Sequence, residues 1–155
     1  MSLLTSWLDG FWGLGFWGLG KSWREEASTA HAALAALDIP LAISKLENWK
    51  RRLQAYLDGS SKEVFDAYVV CFDDRCDLGQ WIHAQGKAAF TGYPRFAALM
   101  SHHKMLHFAA SNIIALHERG KAAEAQLILQ GQFTQFAKSV VGDLNGLSDM
   151  LAPKQ

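Results

Sequence analysis

Apolar residues recur at three- and four-residue spacing along most of this chain, which is the pattern of amphipathic helices. The sequence SWRE at 22–25 has the form of a capping box, and an Ala/Leu-rich run follows it up to Leu37. A second run begins at Pro40 and stops at Asp58-Gly59. We expect two helices here. The apolar stripe of the second consists of Ile43, Leu46, Trp49, Leu53 and Tyr56.

The middle of the chain has a weaker pattern. Residues 64–71 (VFDAYVVC) are rich in β-branched and aromatic side chains without a helical stripe, so we expect a connecting loop. Asp74 is placed to cap a short helix over residues 75–85, and Gly86 would end it.

Two further helices are predicted in the last third of the chain. The first runs from Pro94 to Arg119-Gly120, and its core stripe is Phe96, Leu99, His103, Leu106, His107, Ala110, Ile113 and Ile114. The second covers residues 121–150, with Leu127, Phe133, Phe136, Val140, Leu144 and Leu147 facing inward. The predicted fold is therefore all-α, a four-helix bundle with a short additional N-terminal helix.

The composition fits one helical domain. The chain has 155 residues, with 15 Lys+Arg against 15 Asp+Glu and a pI near 7.0. A neutral chain lacks the basic surface of a nucleic-acid-binding domain, so no nucleic-acid partner is expected. Two cysteines among 155 residues do not form a disulfide framework and are typical of a reducing, cytoplasmic compartment.

Residues 1–21 form a Trp/Gly-rich leader, which we separate from a helical domain at 22–152. It holds a direct repeat of FWGLG at 11–20, together with Asp9, and Lys21 follows it. It is therefore neither a good membrane-spanning helix nor an export signal. Because tryptophan favours membrane and protein interfaces, one reading is an anchor or docking tail that makes peripheral membrane contact through residues 3–23. The other is a leader that packs loosely on its own domain.

The candidate chemistry lies in one cysteine and a histidine pair. His103 and His107 are four residues apart on the apolar stripe, so one ion can reach both rings. Cys76 lies at the start of a predicted helix beside Arg75, where a positive environment favours the thiolate. The alternatives are a histidine pair that only hydrogen-bonds to backbone and a cysteine that is a small buried apolar residue.

The sequence CDLGQW at 76–81 resembles the C-x-L-G-x-W signature of the chemoreceptor zinc-binding (CZB) domain, a bacterial four-helix module of chemotaxis receptors and diguanylate cyclases. The histidine pair agrees with that family, as does the Ala-rich segment that ends at Trp49. The resemblance covers about residues 40–150 and implies a zinc cofactor held by three histidines and one cysteine.

The chain departs from the family at one ligand, because Leu46 stands where the family has its first histidine, three residues before Trp49. Three outcomes are open: a weakened zinc site on Cys76, His103 and His107, recruitment of His31, or loss of the metal with Leu46 packed against the imidazoles. We favour the weakened three-ligand site.

The resemblance implies a regulatory sensor domain and not an enzyme. Its signal would be zinc or an oxidant such as hypochlorous acid, with redox chemistry at Cys76 and signal transduction to a chemoreceptor or cyclase partner. Cys71 is a candidate redox partner of Cys76, the alternative being a merely buried thiol. The family also implies a homodimer, and we expect a free-standing module because 155 residues leave no room for an output domain.

Two other functions compete with the sensor. A zinc with an open position can activate water, and Glu47 or His102 would be its base. A metal-free scaffold protein that docks through the Trp-rich N-terminus is the other alternative. We expect His102 to face solvent, and His83 and His117 to be surface residues.

Overall fold

A computed structural model of the chain describes residues 23–153, and these form helices without any strand. The prediction of an all-α helical bundle is confirmed. The helices in chain order are α1 (Trp23–Ala35), α2 (Ile39–Leu57), α3 (Ala67–Val70), α4 (Asp77–Trp81), α5 (Lys87–Phe90), α6 (Pro94–Glu118), α7 (Ala122–Ile128) and α8 (Thr134–Leu151). One π-helical turn, Ile82–Gly86, joins α4 to α5, and another, Leu129–Phe133, joins α7 to α8.

Helix α6 is the centre of the bundle, with α8 packed along it and α2, α3 and α7 against its other sides. The stripe predicted for this helix is confirmed, since every one of its residues is buried. Helix α2 also begins and ends close to the predicted positions. Its N-cap is Asp38, whose carboxylate accepts a hydrogen bond from the Leu41 N–H at 2.9 Å, and Leu46 and Leu53 are buried on its inner face.

The prediction of a connecting loop over residues 64–71 is wrong for its second half, because the short helix α3 occupies Ala67–Val70. Asp66 caps this helix by accepting from the backbone N–H groups of Tyr68 and Val69, at 2.8 and 3.3 Å. A single turn leaves no apolar stripe in the sequence, so the cap was its only signal.

The predicted helix over 75–85 has the wrong start and the wrong end. Cys76, not Asp74, is the N-cap residue, and the helix continues past Gly86 through the π-helical turn to Phe90. Gly86 allows close packing here instead of ending the helix. A Cβ at this position would lie 2.8 Å from the ring of Phe96 and 2.9 Å from that of Trp81.

In the last helix the predicted inward face is right only from Phe133, the last residue of the second π-helical turn, onwards. Phe133, Val140, Leu144 and Leu147 are buried and Phe136 is half-buried, but Leu127 is 71% exposed. Ala125 and Leu129 fill the core in its place. A π-helical turn holds more residues than an α-turn, so it shifts the buried face along the chain.

Within residues 23–153, no single helix has the length and apolar character of a membrane span, although the bent pair Arg24–Ala35 and Ile39–Leu57 passes that test when taken together. The Trp/Gly-rich leader at 1–21 and the predicted cap at Ser22 lie outside the described residues. The division of the chain at residue 22 stays a prediction.

Candidate metal centre

Cys76 is held at the start of α4 by its role as N-cap. Its backbone is extended (φ −83°, ψ 159°), and its sulfur accepts a hydrogen bond from the Gly79 N–H at 3.3 Å. The side chain therefore turns back over the first turn of the helix and cannot rotate freely into solvent.

The other residues of the CDLGQW segment fix α4 in the bundle. Leu78 and Trp81 are buried, and the Trp81 indole N–H donates to the carbonyl oxygen of Ala33 at 2.8 Å. Gly79 faces the backbone of Asp73 so closely that a Cβ would overlap the Asp73 carbonyl oxygen. Leu78, Gly79 and Trp81 therefore act together: their packing fixes α4 against its neighbours and so fixes the position of the Cys76 thiol at its start.

His103 and His107 bring two imidazoles to this thiol from α6. They are 1% and 5% exposed, and their ring centroids are 4.7 Å apart. The Nε2 atoms lie 3.3 Å (His103) and 3.5 Å (His107) from the Cys76 sulfur. All three donor atoms lie within 4.8 Å of one another. The structure therefore brings together the three residues singled out in the sequence.

The hydrogen bond of His107 prepares its ring for a metal. Its Nδ1–H donates to the carbonyl oxygen of Val70 at 2.7 Å, which leaves the lone pair of Nε2 directed towards Cys76 and His103. Trp49 packs against the same ring, with centroids 4.9 Å apart. Val70 belongs to α3, so the short helix missed in the sequence supplies the partner that fixes this tautomer.

Burial dominates the electrostatics of the donor cluster. It lowers the pKa of His103 to about 4, with the neighbouring His107 adding to the effect, and it also lowers the pKa of His107. Both rings are therefore neutral at pH 7, as metal ligands must be. A set of two neutral imidazoles and one thiol that loses its proton on binding fits zinc.

The expectation of a Cys76 thiolate is wrong in its net outcome, because burial outweighs the effect of the helix end, and the pKa of the thiol is raised. Burial raises the pKa of the Cys76 thiol, the backbone N–H groups of Gly79 and Leu78 lower it, and the carboxylates of Asp77 and Asp73 raise it. The Arg75 guanidinium lies over the Phe72 ring, 4.5 Å from its centroid.

Leu46 lies at this centre, but it offers no donor atom. Its side chain is 8% exposed and, together with Cys76, His103 and His107, lines a cavity of about 660 Å³.

The alternative in which His31 serves as the missing zinc ligand is wrong. Its ring nitrogens lie 2.7 Å from the Ala27 carbonyl oxygen and 2.9 Å from that of Leu151, away from this cavity.

The remaining polar residues divide into those near the centre and those away from it. Asp73 was missed in the sequence, and its Oδ2 lies 3.9 Å from His103 Nδ1 and 3.1 Å from His83 Nε2. No metal-ligand spacing marks Asp73, which precedes Cys76 by three residues in a loop. His83 is exposed, as expected.

Cys71, the candidate redox partner, is half-buried, and its thiol donates to the carbonyl oxygen of Tyr68 at 3.0 Å.

Two of the surface assignments need correction. His102 is half-buried between α6 and α8, where its Nδ1 lies 2.7 Å from Asp143 Oδ2. His117 is half-buried against Tyr56, with ring centroids 4.6 Å apart. Glu47 is exposed, and neither Glu47 nor His102 lines the cavity beside the cluster, so the geometry gives no support to a water-activating base.

A helical bundle whose interior holds one thiol and two imidazoles around a common point is the architecture of a metal-binding helical domain. Residues 47–114 match the model of the family described as the chemoreceptor zinc-binding domain. The matched segment contains Cys76, His103 and His107 and begins directly after Leu46. No curated protein and no solved structure matches the chain.

Proposed function

We propose that this protein is a regulatory sensor domain in which Cys76, His103 and His107 hold one zinc ion. The observation that carries the proposal is the convergence of these three donor atoms within 4.8 Å, across 27 and 31 residues of sequence. Two buried, neutral imidazoles and a half-buried thiol have a common purpose as ligands, because polar groups enclosed in an apolar core otherwise cost free energy.

Leu46 makes this a site with three protein ligands. A structural zinc normally has four ligands, and its binding supplies about 10–16 kcal/mol, so the loss of one donor weakens the site without removing it. We expect zinc exchange to be faster than in a four-ligand site. Such a site suits reversible sensing better than permanent bracing of the fold.

Zinc content measured by elemental analysis after purification at neutral pH tests the site. We expect close to one equivalent in the wild type and almost none in the Cys76→Ser variant. Cys71→Ser is the matched control, because it removes the second thiol without touching the donor cluster, and it should keep its zinc. Equal, negligible zinc in the wild type and Cys76→Ser would overturn the proposal.

The signal we propose is either zinc itself or an oxidant such as hypochlorous acid. When bound, zinc holds Cys76 as a thiolate and links the start of α4 to α6. A thiolate attacks hypochlorous acid at chlorine, and after hydrolysis the products are the sulfenic acid and chloride. Condensation with the Cys71 thiol would then give a disulfide and water. The first oxidation removes the Cys76 donor from the cluster and the disulfide keeps it removed, so α4 loses one of its ties to α6.

Stoichiometric hypochlorous acid tests this signal in the zinc-loaded protein. We expect zinc release, followed with a chromophoric chelator, and a change in the near-ultraviolet circular dichroism of Trp49 and Trp81. In Cys71→Ser the release should persist while the intramolecular disulfide is lost. Retention of zinc with an unchanged spectrum would contradict oxidant sensing and leave zinc sensing as the function.

We propose that output passes through a contact with another chain, in a homodimer that acts on a chemoreceptor or a cyclase. Helices α3 and α6 pack against each other, and the segments they belong to carry exposed apolar side chains for such a contact: Val64 is 91% exposed, Tyr68 71%, and Met105 and Phe108 40% each. Because Val70 of α3 also bonds to His107, this surface is coupled to the donor cluster. Sedimentation equilibrium of the wild type against Tyr68→Glu tests the dimer, and an unchanged mass would exclude this surface.

A further inference from the structure

We infer that Asp73 is the positioning residue for His103, and that His83 holds Asp73 in place for this task. The inference rests on the proposed zinc site and adds a second layer to it, made of residues outside the donor cluster.

His103 Nδ1 is buried and has no hydrogen-bond partner among residues 23–153. The same ring uses Nε2 towards Cys76, so in a metal-binding tautomer Nδ1 carries the proton and needs an acceptor. A buried donor without an acceptor is destabilising, because it loses its hydrogen bonds to water and gains none in return. The equivalent atom of the neighbouring ligand has its acceptor, since the Nδ1–H of His107 donates to the carbonyl oxygen of Val70.

The group that faces this atom is a carboxylate. Asp73 Oδ2 lies 3.9 Å from His103 Nδ1, and a side-chain movement of about 1 Å brings the two into hydrogen-bond distance. The Asp73 side chain is only 19% exposed, so it is largely enclosed beside the ring. Asp73 does not belong to the donor cluster, whose three donor atoms lie within 4.8 Å of one another. Its carboxylate is therefore assigned as a hydrogen-bond acceptor for the imidazole and not as a ligand of the ion.

Two contacts hold the carboxylate where it is. His83 Nε2 lies 3.1 Å from the same Oδ2 atom, and the backbone of Asp73 rests against Gly79, where no Cβ intervenes. His83 stands on the π-helical turn that follows α4, so the helix that presents Cys76 also presents the residue that anchors Asp73. A carboxylate that accepts from a ligating histidine raises the basicity of the ring and fixes its orientation.

Charge supports the same assignment. Two neutral imidazoles and one thiolate leave a divalent ion with a net charge of +1 in a buried site, and a nearby carboxylate balances it. Because the zinc site would carry a net positive charge, we expect Asp73 to raise zinc affinity through its negative charge as well as through the hydrogen bond that its oxygen accepts.

Zinc titration of the full chain, in competition with a chromophoric chelator, tests the inference. Asp73→Ala should bind zinc about 10- to 100-fold more weakly than the wild type. Asp73→Asn keeps an acceptor oxygen but loses the charge, so its affinity should fall between the two. Asp74→Asn is the matched control, because Asp74 is the exposed neighbour, and its affinity should stay within about twofold of the wild type.

A second measurement separates positioning from a merely structural role. In the zinc-loaded wild type, ring ¹⁵N spectra should show a slowly exchanging Nδ1–H for His103, and Asp73→Ala should lose it while the His107 signal persists. Metal-free thermal unfolding of both variants shows whether they fold, and if the alanine variant does not, Asp73→Asn decides alone. Unchanged zinc affinity with an unchanged His103 signal would overturn the inference.

The outcomes also separate this inference from the proposed function. If Cys76→Ser abolishes zinc binding while Asp73→Ala and Asp73→Asn bind like the wild type, the zinc site stands and the role of Asp73 falls. If the wild type itself binds no zinc, both fall. A loss in His83→Ala, smaller than that in Asp73→Ala, would support the role of His83 as the anchor.

Discussion

The indole N–H of Trp81 donates to the carbonyl oxygen of Ala33 at 2.8 Å, and this bond joins the helix that presents Cys76 to α1. Trp81 is 4% exposed, so the bond lies in the core. Ala33 is close to the C-terminal end of α1, where the carbonyl groups lack partners within the helix. The tryptophan of the CDLGQW segment therefore satisfies a helix end as well as filling space.

Replacing Trp81 by phenylalanine should lower the free energy of unfolding by about 1–3 kcal/mol, because the Ala33 carbonyl is left unsatisfied and a ring is removed from the core. Urea denaturation measures the change. Trp49→Phe is the control, because it removes the same part of the ring at a half-buried position that lacks this hydrogen bond. It should lower the free energy of unfolding by less. An equal loss in both variants would show that the bond contributes nothing beyond packing.

Gly79→Ala should destabilise the protein by more than about 2 kcal/mol, since the added methyl group overlaps the Asp73 carbonyl oxygen and backbone must move. Zinc affinity should fall as well, because Cys76 and Asp73 both lie at this contact. Gly142→Ala, also in a helix but with open space around its Cβ, should instead stabilise the protein by about 0.5–1 kcal/mol. Thermal unfolding of the pair gives the comparison, and two changes of the same sign would refute the steric argument.

Leu46→His should strengthen zinc binding by at least about 100-fold, because it adds a fourth donor to the cavity that the other three residues line. Without metal the same variant should be less stable by about 1–3 kcal/mol, since a polar ring replaces a buried apolar side chain. Chelator competition and urea denaturation measure the two effects. In a Cys76→Ser background the gain in affinity should be much smaller, and an equal gain there would mean that the new histidine binds zinc elsewhere.

The metal-free protein should lose stability as the pH falls from about 6.5 to about 4. Burial depresses the pKa of His103 from 6.5 to about 4, so over this range the unfolded chain binds a proton that the folded chain does not. The contribution is fully present above pH 6.5 and amounts to about 3 kcal/mol. Urea midpoints at pH 7 and pH 4.5, in the presence of a chelator, measure the loss. His103→Gln should show a smaller difference between the two midpoints.

The fold was largely readable from the chain because its signals are local. The spacing of apolar residues from Pro94 to Ile114 marked the buried face of α6, and Asp38-Ile39-Pro40 marked the start of α2. Where a signal depended on contacts elsewhere, the prediction was wrong. Gly86 reads as a helix end but is a packing position under Trp81 and Phe96, and Leu127 reads as a core residue although a π-helical turn directs it outward.

The donor residues were also visible in the sequence, as a histidine pair with helical spacing and a cysteine in a distinctive segment. Their surroundings were not. Val70 and Asp73 belong to a short helix and a loop without periodicity, and neither spacing nor residue type relates them to His107 and His103. The protonation of Cys76 was misread for the same reason, since its pKa is set by burial in the assembled core.

The sequence by itself determined the long helices and which residues carry donor atoms, because helical periodicity and side-chain chemistry are properties of the chain. Only the tertiary structure decided that Cys76 meets two imidazoles, that Leu46 fills the cavity wall beside them, and that His31 lies elsewhere. These are relations between helices far apart in sequence, and their distances and burial exist only once the core has packed.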